Sequence, residues 1–164
     1  MKAWFSKGTL ATAVTCLTFG GAALAHGSCS NASLKGQYGQ TISGQILPGN
    51  GVVLPQNGVA MTNFDGSGKF TQVDFVVIDG TNQSSKFQTG ETGTYRVNSD
   101  CTGSARINYK SGGWIDLELV VVNQGSEFRT VVSLLNMNGQ NVPANIGSSG
   151  TRVDSADADT QSHN

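Results

Sequence analysis

The chain has 164 residues, of which 37% are hydrophobic and 13% charged, with 10 Lys and Arg against 11 Asp and Glu. So even a balance speaks against nucleic acid and against anionic membrane surfaces, both of which select clustered Lys and Arg. The 22 glycines, with abundant Ser, Thr, Asn and Gln, suit a β-protein with many turns.

In chain order, Lys2 and Lys7 flank the start of an apolar stretch over 9–22, and Ala23-Leu24-Ala25 follows as a small-x-small site. That is the pattern of a secretory signal peptide over 1–25, cut before His26. The stretch is too short for a membrane-spanning helix, and no later run approaches the required length of about 18 apolar residues. Cleavage removes Cys16 and leaves Cys29 and Cys101. An even pair in an oxidising compartment reads as a disulfide, so the expected location is secreted or periplasmic.

Helical periodicity is absent from 26 onward. Alternating runs separated by Gly, Asn, Asp and Pro predict eight strands, over 34–44, 58–64, 69–78, 85–97, 102–109, 114–122, 127–137 and 145–153. Turn chemistry between them is suitable: Asp65-Gly66-Ser67-Gly68, Asn98-Ser99-Asp100, Ser111-Gly112-Gly113 and Asn123-Gln124-Gly125-Ser126. The expected fold is all-β, an antiparallel up-and-down eight-stranded barrel with one disulfide. It forms a single domain over 26–153, followed by a polar, disordered tail over 154–164.

Strand parity places Cys29 and the turn opening at Cys101 at one end of such a barrel, so a Cys29–Cys101 bond requires the N-terminal segment to cross and cap that end. The opposite end receives the longest connection, over 45–57, in which Ile46-Leu47-Pro48-Gly49-Asn50-Gly51-Val52 is echoed by Val53-Leu54-Pro55-Gln56-Asn57-Gly58-Val59. Val142-Pro143 lies at the same end. One end thus carries tight polar turns and the other apolar connections, which suggests a mouth. The predicted inward faces are Leu34, Tyr38 and Ile42; Val73, Phe75 and Val77; Tyr95 and Val97; Ala105, Ile107 and Tyr109; and Ile115, Leu117, Leu119 and Val121. Eight strands enclose either packed side chains or one small ligand.

The motifs Cys29-Ser30-Asn31-Ala32-Ser33-Leu34-Lys35-Gly36-Gln37-Tyr38, Phe64-Asp65-Gly66-Ser67-Gly68 and Gly93-Thr94-Tyr95-Arg96-Val97-Asn98-Ser99-Asp100-Cys101-Thr102-Gly103 resemble those of small secreted bacterial proteins that look like calycin or allene-oxide-cyclase-type barrels. The resemblance implies the fold and carries no catalytic residue. The lipocalin G-x-W signature is absent, because Tyr38 stands where Trp would.

Chemistry candidates are few. The histidines His26 and His163 lie at the mature terminus and in the tail, so neither a Ser-His-Asp triad nor a copper site at His26 is expected. Asp116 and Glu118 share a strand face and read as solvent-facing. Asp65-Gly66-Ser67-Gly68 reads as a turn and lacks the further ligands of a calcium loop. Asn31-Ala32-Ser33 and Asn82-Gln83-Ser84 match the short glycosylation pattern. No metal, cofactor or catalytic set is expected.

The expected function is a non-enzymatic binding module for a small apolar or amphipathic ligand. Tyr38, Phe75, Tyr95 and Tyr109 would supply aromatic lining, Leu47 and Leu54 the loop contacts, and Gln40 a polar group on an apolar face that needs a partner if buried. Two alternatives are a protein-interaction or inhibitor module using the 46–59 loop, and a cyclase- or isomerase-type barrel in which Tyr38, Gln40 and Glu91 act.

Overall fold

The computed structural model describes residues 28–153. The expected signal segment with Cys16, the terminal His26, and the tail with His163 lie outside the described residues. The strands are β1 (Lys35–Gly49), β2 (Val52–Asp65), β3 (Lys69–Ile78), β4 (Thr81–Asn82), β5 (Gln88–Val97), β6 (Thr102–Asn108), β7 (Trp114–Val122), β8 (Glu127–Met137), β9 (Gln140–Val142) and β10 (Ala144–Arg152). The long strands follow one another antiparallel, and β10 pairs with both β1 and β8. That closes the eight-stranded up-and-down barrel expected from the alternation. β4 and β9 are short additions to β3 and β8.

Alternate side chains point inward, and they sort into two apolar clusters. The first holds Leu34, Tyr38, Phe64, Phe70, Tyr95 and Phe128. Its rings meet edge-on: Tyr38–Phe64 at 5.4 Å, Phe64–Tyr95 at 5.0 Å and Phe64–Phe128 at 5.6 Å between centroids. Such pairs add to the apolar burial they accompany. Two glycines make room for these rings. A Cβ on Gly93 would overlap Phe70 and the Arg106 carbonyl, and one on Gly150 would overlap Phe128. The second cluster, around Ile46, Ile115, Leu135 and Ile146, lies at the other end.

The N-terminal segment caps the aromatic end. Cys29 and Cys101 are bonded, with Cα atoms 4.9 Å apart. A single 3-10 turn, Asn31–Ser33, then lays the chain across the opening. Asn31 Oδ1 accepts the Val97 N–H at 2.8 Å, and the Tyr95 hydroxyl reaches the carbonyls of Asn31 and Leu34 at 2.9 and 2.8 Å. Leu34 is fully buried as the plug. Beside it, the Tyr38 hydroxyl donates to the Gly125 carbonyl and accepts from Arg152 Nη2 at 2.8 Å. This end is closed.

The opposite end corrects one expectation. Residues 45–57 do not form a long loop. They extend β1 and β2 into a projecting hairpin, with Ile46 opposite Leu54 and Gly49 opposite Val52. Asn50 (φ 54°) and Gly51 (φ 74°) make its turn. Positive φ at both central residues is the hairpin geometry that Asn-Gly favours. Pro48 falls in the irregularity between Ile46 and Gly49, and Pro55 lies beyond the last β2–β3 pair at Gln56. Neither proline interrupts the barrel wall, because bulges and strand edges tolerate the missing donor.

Candidate functional site

Phe70 on β3 is buried among aromatic rings, and its parity sends Gln72, Asp74, Val76 and Ile78 inward as well. Phe75 therefore faces out, which corrects its assignment to the lining along with that of Val73 and Val77. Its ring packs against Phe87 at 5.9 Å on the outer wall. The apolar residues of this strand are on the outside because its inward middle belongs to a polar belt.

That belt is a chain of hydrogen bonds crossing six strands. Ser148 Oγ, 2.7 Å from Thr130 Oγ1, donates to Gln40 Oε1 at 3.2 Å. Gln40 Nε2 donates to Thr62 Oγ1, and Thr62 donates to Gln72 Oε1 at 2.8 Å. Gln72 Nε2 then donates to Glu91 Oε2 at 3.1 Å. Gln40 thus has the partners its position on an apolar face demands. A carboxylate only accepts, so Glu91 fixes the Gln72 amide, which fixes Thr62, which fixes Gln40. Every donor in the chain points toward Glu91.

Asp74 sits apart from this chain. It is 2% exposed, and among the described residues its Oδ1 has no hydrogen-bond partner. Glu91 is 3% exposed. Burial pushes the Asp74 carboxyl up from 3.8 to about 6. Burial, and then repulsion from Asp74, push Glu91 from 4.5 to about 7, against the opposing hydrogen bond from Gln72. The Tyr109 hydroxyl is raised by burial and by both carboxylates. Buried carboxyls displaced toward neutrality, without a cation to pair with, are costly to a fold and concentrate at functional sites.

Two cavities meet at Asp74. An inner chamber of about 60 Å³ is bounded by Gln40, Thr62, Gln72 and Asp74 on the polar side and by Ile107, Leu117 and Phe128 on the apolar side. A mouth of about 370 Å³ is bounded by Ile46, Ile78, Ile115, Leu135 and Ile146 and has Asp74 and Tyr109 at its floor. The mouth falls within the size range of small-molecule sites, and the chamber is large enough for a few waters or a small polar head. Chemically, the site can accept hydrogen bonds or positive charge, or move a proton near neutral pH.

Gln40 and Tyr109 therefore stand at this site, and Glu91, singled out for the enzyme alternative, ends the belt. Leu54 packs against the mouth cluster. Leu47 is half-buried in the hairpin, its N–H donating to the Pro143 carbonyl at 2.8 Å. Tyr38 and Tyr95 are not at the mouth; their hydroxyls are engaged in the closed end. Asp74 escaped the sequence reading, since its neighbours Val73, Phe75 and Val77 outvote it in any search for an inward apolar face.

Two other acidic residues lie away from the belt. Asp116 forms a two-pronged ion pair with Arg106 at 2.6 and 2.7 Å on the outer wall. Asp65 accepts the N–H groups of Ser67, Gly68 and Lys69, and these turn bonds together with the Ser67 hydroxyl hold its carboxyl at about 2. Among the described residues no group of three or more His, Cys, Asp or Glu could hold a metal ion, and no helix is long and apolar enough to cross a membrane.

No family model matches this chain, and no curated protein matches it. Among solved structures it is similar to an S-type phycobiliprotein lyase from Guillardia theta, with 10% sequence identity and a TM-score of 0.48, over 76% of this chain and 91% of that one.

Proposed function

We propose that the protein is an exported, calycin-like barrel over 26–153 that binds one small amphipathic ligand through the mouth framed by the β1–β2 hairpin. The observation that carries this reading is the junction at Asp74, where an apolar mouth leads to a chamber with a buried carboxyl oxygen lacking a partner. A barrel built only for stability gains nothing from that oxygen, and filling the space with apolar side chains would stabilise it. Export is supported by the Cys29–Cys101 bond, which persists in oxidising compartments.

The neutral fluorophore N-phenyl-1-naphthylamine tests the reading. Its emission should rise on mixing with the oxidised protein. The half-buried Ile78 lines the mouth, so Ile78→Trp should abolish most of that rise while leaving the far-ultraviolet circular dichroism unchanged. Equal enhancement by both proteins would place the dye on the outer wall and remove the mouth as a site.

A further inference from the structure

Resting on that reading, we propose that the ligand is an organic cation, a small ammonium compound whose charged head sits at Asp74 and whose apolar body lies against Ile46, Ile78 and Ile146. The charge inventory of the cavity comes first. Asp74 and Tyr109 are the ionisable residues lining chamber and mouth, and among the described residues no Lys, Arg or His lines either space. Lys86 and Lys110 share a separate rim cleft with Glu91 and Tyr109, and neither forms an ion pair with Asp74 or Glu91. An anionic ligand would enter a site already repelling it.

The hydrogen-bond inventory points the same way. The belt uses one N–H each of the Gln40 and Gln72 amides, so the donors left at the chamber are neutral amide N–H groups, those of Gln56 included, and none carries positive charge. The one carboxylate lining both spaces is Asp74, whose Oδ1 has no partner among the described residues. An ammonium has three donors and no acceptor, which is the complement of that carboxylate. A neutral alcohol has one donor and would leave a charged carboxylate unpaired. A divalent cation needs six or more oxygen ligands, beyond what one carboxylate supplies. The Tyr109 ring at the floor adds an aromatic neighbour of the kind that attracts ammonium groups.

A cation beside Asp74 also favours its charged form, so binding displaces the proton it holds near pH 6. Beyond burial, the charge of Asp74 helps raise Glu91 and Tyr109, Tyr109 remains neutral at that pH, and Lys86 and Lys110 lie in the separate cleft with Glu91.

Octylamine, octanol and octanoate share one chain length and differ in head group, so calorimetric titration of all three at pH 8 separates the possibilities. The expected order is octylamine tightest, octanol about tenfold or more weaker, and octanoate weakest. Asp74→Asn should weaken octylamine about tenfold and change octanol little, and Glu91→Gln, at a residue outside the lining, should weaken octylamine less. Octylamine affinity should fall from pH 8 to pH 5, with protons released on binding near pH 6. Equal binding of octanol and octylamine, or an amine preference unchanged in Asp74→Asn, overturns the cation while sparing the binding barrel. Tighter binding of octanoate does the same. Absence of binding by all three, in a protein that also fails to take up the neutral dye, overturns both.

Discussion

Replacing Cys29 and Cys101 together by serine should lower the unfolding free energy by about 4 kcal/mol, read from urea transitions followed by intrinsic fluorescence. The bond joins residues 72 apart in sequence, so it removes a large share of the conformational freedom of the unfolded chain. A net stability of about 5–15 kcal/mol makes that loss severe. The effect should also be directional. The bond holds down the segment that carries Asn31 and the fully buried Leu34, so amide exchange should accelerate first at the aromatic end. The mouth cluster of Ile46, Ile115, Leu135 and Ile146 lies at the other end and should retain its protection until global unfolding. A change below about 1 kcal/mol, with uniform exchange, would mean that the cap is held by its hydrogen bonds alone.

The second large effect has the opposite sign. At pH 8, Asp74→Asn should raise the unfolding free energy by about 2 kcal/mol. The displacement of this carboxyl from 3.8 to about 6 corresponds to about 3 kcal/mol, and water entering by the mouth reduces it. Because the folded value lies above the unfolded one, the native state binds more protons between pH 4 and 7. The wild-type protein therefore loses stability as pH rises through that window and levels off above it. The advantage of the variant should be near zero at pH 4 and complete by pH 8. Glu91→Gln should behave alike over a window reaching about pH 7. The double variant should gain less than the sum of the two, since either change removes the repulsion between them. A penalty for Asp74→Asn that is the same at pH 4 and pH 8 would show that Asp74 is not a charge held in a dry site.

The barrel was legible in the sequence because alternation and turn residues are local signals. The strands over 69–78, 114–122 and 127–137 lie where the runs and their flanking turns put them. The segment over 45–57, expected as a long connection carrying a tandem repeat, is instead a hairpin in which the two copies of the repeat face each other across Asn50-Gly51. The site was half legible. Gln40 drew notice as a polar residue on an apolar face, and Glu91 by its chemistry. Asp74 did not, because β3 is apolar on its outer face and polar at the middle of its inner one. Single-strand periodicity assumes the reverse. Only the cross-strand register, which sets Thr62 against Gln72 and Gln72 against Glu91, brings the belt together, and register is a tertiary property.

Native mass spectrometry of the oxidised protein, purified from an exporting host and sprayed with and without denaturant, tests the occupied barrel most directly. A small molecule should accompany the native protein in one-to-one ratio, leave on denaturation, and be missing from Ile78→Trp prepared in parallel. A bare native mass, together with unchanged thermal stability in the presence of octylamine and the neutral dye, would contradict a ligand site at Asp74.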